Sequence, residues 1–188
     1  MEDEVWKAYR LGSQEAYLKL FDTYYPGLSA YGNRLQNSKQ YTDDAVQELF
    51  MELWDRRHRV PEVLQVKAYL FKALKRKMLK ANASLHTELD GLEGELLASN
   101  IEASIIEREQ TDAVLASLEK ACLSLTPRQR EIIHLRFYEG LDYQEIADIS
   151  AIGVSRVYNL MYEAMKRLKE FMEEHHLTLF LCLIISWL

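Results

Sequence analysis

Tight turns are scarce in this sequence: seven glycines and three prolines among 188 residues leave few places for the short reversals of a strand-rich fold. That scarcity points to helices. Two cysteines, Cys122 and Cys182, stand far apart in apolar surroundings. They suggest neither a disulfide framework nor a metal knuckle, and a reducing cytoplasm suits them. The spacings of a phosphate loop, a nucleophile elbow and a zinc site are all missing. His175 and His176 have only Glu173 and Glu174 beside them and read as a polar helix end. No enzyme activity, cofactor, metal or small-molecule substrate is therefore expected. The apolar run LTLFLCLIISWL at 177–188 has twelve residues, well short of the roughly 20 that span a bilayer. It packs on its own domains, meets a protein partner or lies on a membrane surface. The first residues, MEDEVWKAYR, are acidic and polar, unlike a signal peptide, so the chain is expected to stay in the cytoplasm. An excess of positive charge is missing too. The formal net charge of -6 has the wrong sign for a protein that coats nucleic acid, so any DNA contact has to be local.

What is present is a globular composition, 48% hydrophobic and 11% aromatic, enough for one or two small cores. Charge comes in blocks. Between residues 56 and 80 lie Arg56, Arg57, Arg59, Lys67, Lys72, Lys75, Arg76, Lys77 and Lys80 against a single acid, Glu62. Between residues 88 and 112 the balance inverts, with Glu88, Asp90, Glu93, Glu95, Glu102, Glu107, Glu109 and Asp112 against Arg108. A basic patch is followed by an acidic connector.

Apolar residues three and four apart predict helices on either side of that connector. Ala16, Tyr17, Leu20, Phe21 and Tyr24 form one stripe over 13–24, which Pro26 and Gly27 should end. Thr42 is placed to cap a second helix over 42–57, with Asp43 and Asp44 in its first turn and Val46, Leu49, Phe50, Leu53 and Trp54 inward. A third helix over 66–81 follows a connection broken by Pro61. Residues 83–101 read as a linker, so the first domain covers 1–82 and the second 102–174, ahead of an apolar tail at 175–188.

The second domain has sharp boundaries. Thr126-Pro127-Arg128-Gln129 has the composition of a capping box with proline at the first helical position. Gly140 should close that helix, Asp142 and Glu145 open the next, and Ala151-Ile152-Gly153 break it from the last. This is the layout of a helix-turn-helix. Its last helix, opening GVSRVYNLMYEAMKRL, has a single arginine, Arg156, in the half where bases would be touched: the other cations fall late, at Lys166, Arg167 and Lys169, and Glu163 intervenes.

Residues 125–170, LTPRQREIIHLRFYEGLDYQEIADISAIGVSRVYNLMYEAMKRLKE, resemble region 4 of sigma factors, and DDAVQELFMELWDRR at 43–57 looks like sigma region 2.2. In this order, joined by a short linker, the two halves resemble the extracytoplasmic-function sigma factors of bacterial RNA polymerase. The likeness runs from about Ser13 to Glu170. It implies an all-helical chain of two small domains that binds core RNA polymerase and directs promoter-specific initiation. The region 2.2 positions that would meet the beta-prime clamp helices are Asp44, Gln47 and Glu48, with Met51 and Trp54 on the same helix. Regions 2.3 and 2.4 would hold the opened -10 strand with Arg59, Lys67, Tyr69, Lys72, Lys75, Arg76 and Lys80. Cations follow a backbone and aromatic faces stack on bases. Of Tyr69 and Phe71, one is expected in the core. The loop 59–66 would be the family's base-capturing loop, here unusually apolar.

The resemblance further implies that Gln129, Arg130, Ser155, Arg156, Tyr158, Asn159, Tyr162 and Lys166 face -35 duplex. Val157, Leu160 or Met161, Ala164 and Leu168 would turn inward, and other surfaces would meet the beta flap. Arg156 could pair with a guanine edge and Asn159 with an adenine. The acidic connector would thread the polymerase's RNA exit path, or it is a solubilising tether. Partners implied are core polymerase, single- and double-stranded promoter DNA, and an anti-sigma factor or another DNA-targeting recruiter. Two other classes stay open: a helix-turn-helix regulator that is no sigma factor, and an adaptor held at DNA by a bound partner.

Overall fold

The computed structural model describes residues 2–36, 38–88 and 121–174, and every regular element among them is helical. They fall into two compact units. The acidic connector beyond Glu88 and the apolar run at 177–188 lie outside the described residues.

The first unit holds α1 (Glu2–Arg10), α2 (Gln14–Gln36), α3 (Lys39–Asp55) and α4 (Val66–Glu88). Its core is the meeting of α2, α3 and α4: Leu20, Tyr24 and Leu28 from the first, Val46, Leu49, Phe50 and Leu53 from the second, Leu70, Phe71, Leu74 and Met78 from the third. Aromatic pairs tie the three together, with ring centroids 4.9 Å apart for Phe21 and Phe50 and 5.3 Å for Tyr31 and Phe71. The expected inward set of α3 is thus buried, except that Trp54 is only half-buried.

Three boundaries differ from the sequence expectation. The helix expected to stop at Pro26 runs through it to Gln36. A proline removes one backbone donor from a helix, but Leu28, Tyr31 and Gly32 beyond it are buried, and that packing outweighs one lost bond. Thr42 is not the cap of α3. Ser38 is, its hydroxyl accepting from the Tyr41 N–H at 3.4 Å, and Thr42 is buried one turn inside. Its displacement inward has a steric partner: a Cβ on Gly32 would lie 2.5 Å from Thr42 Cγ2. At Gly32, α2 and α3 pack too closely for a side chain. Asp43 and Asp44 therefore sit past the first turn, and Asp43 Oδ1 instead accepts from Tyr25 Oη and Ser29 Oγ, each at 3.0 Å. Lastly, α4 continues to Glu88, into the stretch read as linker.

The second unit holds helical residues 121–124, then α5 (Pro127–Ile133), α6 (Tyr143–Ser150) and α7 (Val154–Glu174). Both capping boxes form. Gln129 N–H donates to Thr126 Oγ1 at 3.3 Å and Thr126 N–H to Gln129 Oε1 at 3.0 Å. Glu145 N–H donates to Asp142 Oδ1 at 2.8 Å and Asp142 N–H to Glu145 Oε2 at 2.7 Å. A π-helical turn, His134–Tyr138, extends α5, with Glu139 N–H donating to the His134 carbonyl at 3.2 Å. Gly140, at φ +68, then reverses the chain. In the second break Ala151 takes the left-handed conformation, at φ 53. Ala121, Leu125, Ala164 and Leu168 form a buried cluster, with Ile133, Met165 and Phe171 packed on it.

Candidate functional site

On α3, Asp44, Gln47, Glu48 and Met51 are exposed on one face, opposite Val46, Leu49 and Leu53. Met51, 61% exposed, adds an apolar side chain to this otherwise polar face. Trp54 is tilted against Tyr17, ring centroids 5.0 Å apart, under the Arg57 guanidinium at 4.5 Å. Its ring is therefore largely committed within the unit. Glu48 is bridged as well: Lys77 Nζ on α4 lies 2.9 Å from Glu48 and 2.7 Å from Glu52. Burial pulls the Lys77 ammonium toward a lower pKa, but its hydrogen bonds to Glu52 and Glu48 outweigh this and raise it. The hydrogen bond from Lys77 holds the Glu52 carboxyl below its usual value, against a smaller pull from burial.

Beside that bridge an open groove of about 760 Å³ runs between α3 and α4, floored by Leu49, Leu53, Val60 and Ala73. Arg56, Arg76 and Lys80 line its basic side. Lys72, Arg76 and Lys80, spaced by four, form an exposed row on α4, and Arg59 is exposed just before the loop. Lys67 is half-exposed, its ammonium 5.8 Å from the Phe71 ring centroid. Two residues of the expected strand-binding set behave otherwise. Lys75 is only 5% exposed, because its position on α4 faces inward between Phe71 and Met78, so it is not a strand contact. Tyr69 is half-buried, edge-on to Trp6 at 5.7 Å, and burial raises its hydroxyl pKa. Phe71 is the member of the aromatic pair that lies in the core.

On α7, Ser155, Arg156, Tyr158, Asn159, Tyr162 and Lys166 are exposed, while Val157, Leu160, Met161, Ala164 and Leu168 are buried. Tyr162 is 72% exposed. Tyr158 stacks on Tyr143 with centroids 4.2 Å apart, and the Arg136 guanidinium lies 5.2 Å from the Tyr143 ring centroid. Sequence reasoning missed this column, which joins three separate elements and has no local signature. Gln129 departs from its expected role. It is 1% exposed, since the capping box turns it inward, and its Nε2 donates to Glu163 Oε2 at 3.4 Å. Arg167 donates to Gln129 Oε1 and to the Ser124 carbonyl, each at 3.5 Å. Gln129 thus links α5 to α7 from a buried position and is not placed to contact a phosphate. The acid at Glu163, odd for a DNA-facing helix, is part of the same network. Arg130 is half-buried.

Residues 20–84 match the family model for sigma-70 region 2, and residues 123–170 that for sigma-70 region 4, together more than half of the chain. The chain belongs to the sigma-70 family. Its order of regions is that of the extracytoplasmic-function group. Among curated proteins it is similar to the ECF RNA polymerase sigma factor BldN of Streptomyces coelicolor, 25% identical over 169 residues. That match takes in 87% of this chain and 62% of the relative, so the chain spans less than two thirds of BldN. The fold is similar to CnrH, solved in complex with the cytosolic domain of CnrY, at TM-score 0.62, 18% identity, 92% of this chain and 97% of that one. It is also similar to the sigma factor RpoE of Bartonella quintana, solved in complex with the anti-sigma factor NepR, at TM-score 0.58, 22% identity, 84% of this chain and 96% of that one. Among the described residues no helix is long and apolar enough to cross a membrane.

Proposed function

We propose that this chain is an alternative sigma factor that binds core RNA polymerase and directs promoter-specific transcription initiation in the cytoplasm. The observation that carries the reading is the pairing of regions 2 and 4 in one chain, since a plain helix-turn-helix regulator has no use for region 2. The exposed face of α3, Asp44, Gln47, Glu48 and Met51 with the edge of Trp54, docks on the beta-prime clamp helices. Arg59, Lys67, Lys72, Arg76 and Lys80 track the phosphates of the opened -10 strand. Arg156, Tyr158, Asn159, Tyr162 and Lys166 face the -35 duplex, with Arg130 at their margin, and the domain meets the beta flap. The chemistry of RNA synthesis belongs to the polymerase. An anti-sigma partner is supported by the complex in which RpoE was solved. The acidic connector either occupies the RNA exit path or tethers the two domains.

In-vitro transcription with bare core enzyme tests this. Defined start sites, mapped first in cells after overexpression, are expected from this chain plus core alone. A requirement for a separate sigma factor would make the chain a regulator. The aromatic, weakly basic face of α7 favours one further reading, an adaptor carried to DNA by another protein, and a requirement for such a recruiter would establish it instead.

A further inference from the structure

Helix α1 lies upstream of the region 2 match, which begins at residue 20, yet it buries two large aromatic side chains in the first unit. Trp6 and Tyr9 are each 1% exposed, 5.1 Å apart between ring centroids. The Tyr9 hydroxyl donates to the Leu53 carbonyl near the end of α3. Trp6 reaches the other way, Nε1 donating to the Pro61 carbonyl at 3.2 Å and the ring meeting Tyr69 of α4 edge-on. Next to it, Lys7 Nζ lies 3.4 Å and Arg10 Nη1 3.9 Å from the Glu62 carboxylate. One short helix therefore grips the end of α3, the loop 60–65 and the start of α4 together. The loop's flanks are buried at Val60 and Val66, and its tip is not: Leu64 is 92% exposed. Arg59 and Lys67 flank the loop in sequence. An apolar side chain held out from a loop with a cation at either end of its sequence suits an unpaired nucleotide, whose base offers an apolar face and whose phosphate is anionic.

We propose that α1 positions the loop 60–65 for the opened DNA strand, with Trp6 as the positioning residue and Leu64 as the side chain it presents to a base. This rests on reading the loop as facing that strand. A loop with a backbone carbonyl fixed by a buried indole loses less conformational freedom when a base docks, so the contact strengthens without any new atom touching DNA.

The test uses the full chain with core polymerase on a promoter taken from its mapped start sites. Permanganate reactivity of unpaired thymines reads opening, and core affinity is measured on the same preparations. Trp6→Phe keeps an aromatic ring and removes Nε1–H. It is expected to reduce opening roughly five-fold at unchanged core affinity, the effect of one hydrogen bond. Leu64→Ala is expected to give a similar loss, and the double variant to be no worse than Leu64→Ala alone, because both remove the same presented contact. Losses that multiply would mark Trp6 as merely structural and overturn the proposal, as would wild-type opening by Trp6→Phe. If Trp6→Phe unfolds, the exposed Glu62→Gln loosens the same loop. A loss of roughly two-fold that Leu64→Ala absorbs supports the proposal, and no loss overturns it. A wild-type chain that opens no promoter with core sinks the sigma-factor reading and this inference together. Wild-type opening beside a neutral Trp6→Phe sinks this inference alone.

Discussion

Lys77 and Gln129 each join two helices, and each joins them through polar atoms. For Lys77 the pH dependence follows from the two shifts. The Glu52 pKa is depressed by the hydrogen bond from Lys77, so its stabilisation is present above the unfolded-state value and is lost as pH falls through the folded one. The Lys77 pKa is raised, its hydrogen bonds to Glu52 and Glu48 outweighing burial. Its stabilisation is present below the unfolded-state value and is lost as pH rises through the folded one. The bridge thus strengthens the first unit between the carboxylate and lysine ranges. The Glu48 and Glu52 side chains are 62% and 55% exposed, so solvent screens the pair. Lys77→Met is expected to cost no more than about 1 kcal/mol near neutral pH. In urea titrations the difference from wild type should narrow as the pH falls from the ordinary carboxylate range through the depressed value of Glu52. Gln129→Ala removes half of a capping box and the link to Glu163, and should lower stability by about 1 to 2 kcal/mol. The salt dependence of promoter binding by the holoenzyme should not change, because no phosphate contact is lost. A flattened salt dependence would return Gln129 to the DNA-facing set.

Helix α2 meets α3 at a point where there is no room for a methyl group. Gly32→Ala improves helix propensity by roughly 1 kcal/mol, yet the new Cβ would lie 2.5 Å from Thr42 Cγ2 and 3.3 Å from Met78 Sδ. Overpacking should win, giving a net loss of about 1 to 3 kcal/mol. Thr42→Ser removes Cγ2, so the pair Gly32→Ala and Thr42→Ser should be more stable than Gly32→Ala alone. Chemical denaturation of both singles and the double checks this, and strictly additive losses would refute it. The same contact explains what the sequence concealed. Threonine ahead of two aspartates has the composition of an N-cap, but inward packing at Gly32 claims Thr42, and Ser38 caps α3 instead. Pro26 likewise carries a local stop signal that burial of Leu28, Tyr31 and Gly32 overrides. Where the deciding interaction is itself local, the sequence is a good guide. The boxes at Thr126 and Asp142, each closed within three residues, form as expected. So does the division of α7 into a buried stripe and an exposed face. Helix α1 escaped notice because its apolar set, Val5, Trp6 and Tyr9, is too short for periodicity to stand out among Glu2, Asp3 and Glu4.

Across the whole molecule, charge decides what the chain can do unaided. With a net charge of -6, long-range attraction to duplex DNA is absent, and each phosphate contact adds only roughly 0.9 to the salt slope. The exposed face of α7 offers few such contacts. Arg156 is exposed, but Lys166 lies 3.8 Å from Glu170 and Arg167 turns toward Gln129 and Ser124. Tyr158 and Tyr162 add apolar surface without charge, and Tyr158 is already stacked on Tyr143. The exposed cations of α4, Lys72, Arg76 and Lys80, suit a single strand, which does not exist until a promoter opens. Neither unit by itself is therefore expected to hold closed duplex. A polymerase that grips α3 would convert weak DNA contacts into intramolecular ones at high effective concentration, raising affinity without changing a single contact. The free chain is expected to give no stable complex with promoter duplex in a gel shift at about 0.15 M salt. Adding core enzyme should produce one, and Arg156→Ala within that complex should weaken it by about 1 to 3 kcal/mol if the arginine pairs with a base. Tight, sequence-specific binding by the free chain would refute this dependence, because it would require phosphate contacts that the exposed side chains of α7 do not supply.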